Sequence, residues 1–469
     1  MNNQASASTL IIPVESQVRE LDAKLLLSCV AAERGFPVIM GSRAYTHFQV
    51  ASIPRGVYLA KSMRSLSNAM FTILRQLGHE IVAWEEEALV HPPADTYFTQ
   101  RLSPVTIRQV AQMFAWGQEN ADLIRQYPAL PENMPIHITG NPRGDMLRPE
   151  IRPYFASEVE KLRDRYGDFI LINTNFSGVN PFIPNIGLFL PAKGLWKKRA
   201  RLGQPGMGMS REFAEGLRNH KLAVLADFKQ MIPALEHAFP SLRIVVRPHP
   251  SESLQIYHEI AAQCQRVVVD NQGNVIPRLL AAKALVHNGC TTGLEAYMLR
   301  VPAISYLASL NTYYDYDFQG LPTRLSHQCF DFQALMDTLS GILAGELGAA
   351  AGRERQELID YYLAAQNGPL ACERMVDVLE ASGYRNQQPP ARPLGTYLQG
   401  WLSARLKALL TDLYMRRPGP NRLAYHSHRF PALTVAEIES RIARFGELLH
   451  RFDKVKVALH SKHVFRISV

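Results

Sequence analysis

A chain of 469 residues, 47% hydrophobic and 20% charged, is long enough for two or three domains and too ordinary in composition to be disordered, collagenous or a membrane bundle. Its formal charge of +9 calls for an anionic partner, but the cations are scattered and zinc-finger, basic-zipper and RNP-like patterns are absent, which argues against nucleic acid. The five cysteines form no C-x-x-C pair, no apolar run reaches about 18 residues, and MNNQASASTL lacks a signal-peptide pattern, so a cytoplasmic protein with reduced thiols is expected.

The elements alternate from the start. TLIIPV (9–14) is a strand-like run, Glu15 to Arg34 has helical spacing, and Gly35-Phe36-Pro37 ends it as a C-cap glycine followed by a proline would. FPVIMGS, GVYLA, EIVAW, MFAW (113–116) and IHITG (136–140) continue an N-terminal sheet of about six strands. The pattern restarts with FILINTN (169–175), LRIVVRPHP (242–250), RVVVD (266–270), ALVHNG (284–289) and VPAISY (301–306), and a helical stretch covers 331–382. This is the alternation of α/β halves with parallel sheets. RNQQPPARPLG (385–395) reads as a linker. The expected domains are 1–160, 161–384 and a linker with a C-terminal extension, 385–469.

In open parallel sheets ligands bind beyond the carboxyl ends of the strands. Three polar segments follow consecutive strands of the second half. Arg247-Pro248-His249-Pro250-Ser251-Glu252 fixes a histidine between prolines ahead of a helix N-terminus, where it can donate to a phosphate as charge develops on a departing nucleotide. Asp270-Asn271-Gln272-Gly273-Asn274 comes next. In His287-Asn288-Gly289-Cys290-Thr291-Thr292-Gly293-Leu294-Glu295, glycines admit close approach, the threonines face an anion, and Glu295 is placed to accept from ribose hydroxyls. Asn173 and Asn175 would join them from the first strand. Each segment also reads as an ordinary cap or rigid turn.

RPHPSE, GNVIP, HNGCTTGLEA and VPAISY, with IPVESQVRELDAKLLL, TGNPRGDMLRPE and LTVAEIESRI elsewhere, resemble the signatures of the bacterial surface carbohydrate biosynthesis proteins, similar to the β-Kdo transferases of O-antigen and capsule synthesis. The resemblance implies a GT-B fold, with two Rossmann-like domains facing a central cleft and a helical or α+β C-terminal extension. It also implies transfer of Kdo or a related ulosonic acid from a CMP-activated donor to a lipid-linked glycan, with no metal. His249, Thr291 and Thr292 would then hold the CMP phosphate. Arg278 stands where the family usually has tryptophan. Similar signatures in polyol-phosphate transferases leave a CDP-polyol donor as an alternative, and a noncatalytic assembly scaffold is a third.

On the acceptor side, Glu85-Glu86-Glu87 after EIVAW sets three carboxylates side by side. Mutual repulsion and partial burial would raise a pKa as a general base requires, giving Glu86 and Glu87 that role, unless the run is only a solvated loop. The run resembles the acidic motif of bacterial sialyltransferases, with Ala88 in place of its glycine. Arg43, Lys61 and Arg143 are expected to meet a sugar carboxylate or to be surface ion pairs. A retaining route needs a carboxylate nucleophile, for which Asp227, Glu215, Asp145 and Glu150 are candidates. Asp315-Tyr316-Asp317 matches a D-x-D metal pattern but lies past the nucleotide-type strands. Residues 397–417 put Trp401, Leu402, Arg405, Leu406, Leu409 and Leu413 at helical spacing, which suits packing on the body or peripheral contact with the inner membrane face.

Overall fold

The structure, a computed structural model, describes residues 7–191, 200–315, 320–416, 426–427 and 429–469. It forms two compact units. Unit 1 comprises 1–88, 101–154 and 359–469, and unit 2 comprises 89–100 and 155–358.

Unit 1 is built on strands β1 (Thr9–Val14), β2 (Val38–Ser42), β3 (Gly56–Ala60), β4 (Glu80–Ala83), β5 (Gln112–Ala115) and β6 (Ile136–Ile138), the six read from the sequence. They pair in parallel in the order β2-β1-β3-β4-β5-β6. Every residue of β1, β2 and β3 is buried, as befits strands covered on both faces, which is why they read as continuous rather than alternating apolar runs. The helix Gln17–Glu33 is buried along Glu20–Ala32, polar residues included, so its near-featureless hydrophobic pattern reflects burial on all sides.

Unit 2 is an all-parallel sheet. Its strands are β7 (Phe169–Asn173), β10 (Arg243–Arg247), β11 (Val267–Val269), β12 (Ala284–His287), β13 (Ala303–Tyr306) and β14 (His327–Cys329), in the order β11-β10-β7-β12-β13-β14. Two-residue strands β8 (Phe189–Leu190) and β9 (Arg201–Leu202) form a separate antiparallel pair. The helix Arg211–Ala238 starts at Ser210, whose hydroxyl accepts from Phe213 N at 3.1 Å, and it buries Leu225, Phe228, Met231, Ile232 and Leu235 in a core with Ile244, Val246 and Ile172.

Two readings of organisation change. The division at 160 and 384 differs from the structure, because the chain returns to unit 1 at 359, before the expected end of the second domain. The C-terminal extension is also no appendix: β15 (Lys456–Ser461) and β16 (Val464–Ser468) form a hairpin whose second strand pairs antiparallel with β2. The hairpin backbone lies so close that a Cβ at Gly41 would run into the His463 carbonyl, and Val464, Phe465 and Ile467 are fully buried. The 385–395 stretch is held against unit 1, with Arg55 donating to Pro389 O at 3.1 Å and Arg392 to Arg75 O at 3.0 Å.

Candidate functional site

The strand order of unit 2 places β7 at the point where connections run outward in both directions. Asn173 ends β7 in register with Arg247 of β10 on one side and His287 of β12 on the other. Such a switch point leaves a crevice beyond the strand ends, where a ligand finds backbone and side chains from three loops. Arg247, Asn173 and Asn288, all expected to bind donor, therefore lie on adjoining strand ends. Among the described residues, Asn173 Oδ1, Asn288 Oδ1 and Thr292 Oγ1 are buried without a hydrogen-bond partner. Buried polar atoms are nearly always satisfied, so three unsatisfied ones in neighbouring segments indicate groups that await a ligand or water.

The loops are shaped by internal bonds. The Ser251 amide donates to His249 Nδ1 at 3.2 Å; with Nδ1 accepting, the ring proton sits on Nε2, the tautomer that donates to an anion. His287 is fully buried: Nδ1 accepts from Gly289 N at 3.0 Å and Nε2 donates to Ser326 Oγ at 2.8 Å, whose own hydroxyl donates to Pro322 O at 2.8 Å. Burial pushes its pKa down to about 3, so the ring is neutral. The helix Thr292–Leu299 rests on that ring, and a Cβ at Gly293 would come within 2.6 Å of His287 Nε2. Gly293 thus serves packing, bringing Thr291, Thr292 and Glu295 in the first turn close to the strand ends.

Arg247 is buried, donating to Gln272 O at 3.0 Å and Gly273 O at 2.7 Å. Burial and the neighbouring Arg278 lower its pKa to about 9, against the attraction of Asp270 and Glu295. It fixes the 271–274 turn and supplies positive potential at the crevice. Arg278 pairs with buried Asp270 at 2.7 Å, and Asp270 also accepts from Tyr166 at 2.7 Å.

Two expected donor-binding residues also have structural work. Glu252 is buried and accepts from His249 N at 3.0 Å, Thr174 Oγ1 at 2.9 Å and Tyr257 OH at 2.6 Å, so its carboxylate ties the loop after β10 to the loop after β7. Asn274 caps the helix Val275–Ala281 by accepting from Ile276 N at 3.0 Å. Asn175 is half-buried just past β7. Sequence reasoning passed over Lys221, which the long helix sets near Gly178, its charged form disfavoured by burial and favoured by Asp315 and Glu252; a lysine inside an otherwise apolar helical stripe was the available signal.

In unit 1 each of the three adjacent glutamates turns to its own cation. Glu85 meets Arg101; Glu86 meets Arg143 at 3.6 Å and Lys24 at 3.9 Å and accepts from Trp84 Nε1 at 2.8 Å; Glu87 pairs with Arg19 at 3.1 Å. Burial raises the Glu85 pKa, whereas Glu87, 40% exposed and beside the Arg19 guanidinium, is held well below the usual carboxylate range and is a poor base. Lys61 pairs with Glu15 at 2.7 Å and Glu20 at 3.3 Å, Arg43 with Glu15 at 3.5 Å, and Arg143 stacks 5.5 Å over Trp116. The expected sugar-binding cations are therefore part of one ion network at the carboxyl ends of β1 to β4.

The nucleophile candidates also separate. Asp145 is buried and accepts from Ala371 N at 2.7 Å and Cys372 N at 2.9 Å, capping the helix Ala371–Ala381, with burial pushing its pKa up to about 6. Glu150 pairs with Arg148 and Glu215 with Arg211 at 2.8 Å, both at half-exposed positions. Asp227 keeps one buried oxygen without a hydrogen bond among the described residues. Asp315 accepts from His220 at 2.7 Å, and Asp317 lies outside the described residues. Among the described residues no cluster of three metal-ligating side chains occurs.

No family model matches the chain and no curated protein matches it. Solved structures similar in chain path include the UDP-GlcNAc 2-epimerase of Methanocaldococcus jannaschii, 11% identical over 80% of this chain and 99% of that one, with a TM-score of 0.44. A second UDP-N-acetylglucosamine 2-epimerase is 10% identical over 83% of this chain and 99% of that one, with a TM-score of 0.48. The wall teichoic acid polymerase TagF is 10% identical over 80% and 89%, with a TM-score of 0.47.

Proposed function

We propose that this chain is a glycosyltransferase that binds a CMP-activated acidic sugar, Kdo or a related ulosonic acid, in unit 2 and transfers the sugar to a lipid-linked surface glycan. The observation that carries the reading is the set of unsatisfied polar atoms, Asn173 Oδ1, Asn288 Oδ1 and Thr292 Oγ1, at the switch point of a parallel sheet. A nucleotide offers ribose hydroxyls that donate to the two amide oxygens and a phosphate that accepts from the Thr292 hydroxyl. His249, with its proton on Nε2, donates to the phosphate as the sugar leaves and charge accumulates there; Arg247 adds fixed positive potential in a partly dry site. Thr291, Thr292 and the amides that open their helix hold the same phosphate, and Glu295 receives the ribose hydroxyls. The choice of cytidine and of Kdo rests on the sequence resemblance.

Calorimetric titration with CMP, UMP, CDP and UDP tests the donor. CMP is expected to bind tightest, and absence of CMP binding would remove the proposal. Incubation with CMP-Kdo and a lipid-linked acceptor is expected to release CMP and add one Kdo to the acceptor mass. A gain of polyol phosphate from a CDP donor would instead identify the other transferase chemistry.

A further inference from the structure

The helix Leu394–Met415 is inside out for one that simply covers a sheet in water. It packs on unit 1 through small residues: a Cβ at Gly400 would lie 2.6 Å from Gln76 Cβ, and Ala404 is buried. On the opposite side Leu402, Leu406, Leu409, Leu410 and Leu413 are 50–61% exposed, and Leu398 is 47% exposed. The helix it packs against, Asn68–Gln76, does the reverse and buries Met70, Phe71, Ile73 and Leu74. A continuous exposed apolar face marks something that covers it.

Charge identifies the cover. Residues 394–416 carry Arg405, Lys407 and Arg416 against Asp412 alone. At 100° per residue Arg405 and Arg416 flank the leucine stripe, and Lys407 turns toward the body. There it lines a cavity of about 220 Å³ with Arg43, Arg429, His47 and His426, in which Glu15 is the one acidic side chain among the described lining residues. Burial, with a smaller contribution from the nearby Arg43 and Lys407, pushes His47 down to about 3. Leucines outward, arginines on the flank, the guanidinium of Arg405 5.4 Å over the Trp401 ring and a cationic hollow behind make the pattern of a helix lying in the plane of a bilayer with anionic headgroups. No described helix is long and apolar enough to cross a membrane.

We infer that the helix Leu394–Met415 docks unit 1 on an anionic lipid surface, its leucines in the acyl layer and Arg405 and Arg416 among the headgroup phosphates. The inference does not depend on which nucleotide unit 2 binds.

Flotation of the full chain with vesicles tests it. The chain is expected to float with phosphatidylcholine mixed with phosphatidylglycerol, and to float less with phosphatidylcholine alone. Leu406→Ser with Leu409→Ser, both exposed sites, is expected to lower the vesicle-bound to free ratio about tenfold or more while leaving the thermal midpoint unchanged. Arg405→Glu with Arg416→Glu is expected to abolish the preference for anionic vesicles. Failure of the wild-type chain to float with either vesicle overturns the inference, as does a wild-type dimer that the leucine variant turns into a monomer without any vesicle binding, which would make a second copy the cover.

Discussion

At the scale of single residues, the unsatisfied atoms of unit 2 give a test that separates ligand binding from stability. Leaving a buried polar atom without a partner costs roughly 1–3 kcal/mol, whereas an apolar group of the same shape costs nothing there. Thr292→Val and Asn288→Leu are therefore expected to leave the thermal midpoint of the free chain unchanged or raised, and to weaken CMP binding about tenfold or more, read by calorimetry. A fall in stability without loss of affinity would show that these groups serve the fold. The residue types in this site were legible from the sequence because histidine, asparagine and threonine at strand ends have few structural uses in common. Their division of labour was not. Glu252 and Asn274 stand as close to the motif as Thr292 does, but their side chains are engaged by Thr174, Tyr257 and a helix amide, and of these partners Thr174 is the one distant along the chain.

At the scale of elements, the helix Gln17–Glu33 shows how burial changes the meaning of charge. Glu20 accepts from Glu15 N at 2.9 Å and Ser16 N at 3.2 Å, closing the helix start, and pairs with Lys24 at 2.7 Å, both side chains buried. Removing one partner of such a pair strands the other, so Glu20→Gln is expected to destabilise the chain by about 3 kcal/mol in denaturant unfolding. Glu15, Glu20 and Glu87 are all held below their ordinary pKa by Lys61, Lys24 and Arg19. Their stabilisation is fully present above the unfolded value of about 4.3 and is lost as pH falls through that value toward the folded one. The denaturant midpoint is thus expected to decline as pH falls below about 6.5, where the unfolded chain protonates histidines that the fold keeps neutral at His47 and His287, and to drop more steeply below about pH 4, with a shallower drop there in Glu20→Gln. The acidic run after β4 was visible in the sequence; the cations that neutralise it come from helices and loops distant along the chain.

At the scale of the molecule, unit 1 is assembled from both ends of the chain. β16 supplies Val464, Phe465 and Ile467 to its core and covers the free edge of β2. Ending the chain after Val455 would remove three buried apolar side chains at roughly 1.5–3 kcal/mol each, a large part of the 5–15 kcal/mol that holds a domain together. The shortened chain is expected to lose about 5 kcal/mol or more in denaturant unfolding and to aggregate through the exposed strand edge. Equal stability would mean that the hairpin is an ornament on the sheet.

The sequence by itself determined the α/β class, the six strands of the first sheet, five of the second and the polar strand ends where a ligand can sit. Those features are set by local periodicity, capping and turn chemistry, which a short window contains. The tertiary structure decided which polar groups are consumed by the fold, which carboxylates are neutralised, that residues 359–469 belong with the first strands, and which face of the Leu394–Met415 helix stays uncovered. These outcomes depend on partners hundreds of residues apart, and helical spacing gives the same stripe of leucines whether it faces a core or the solvent.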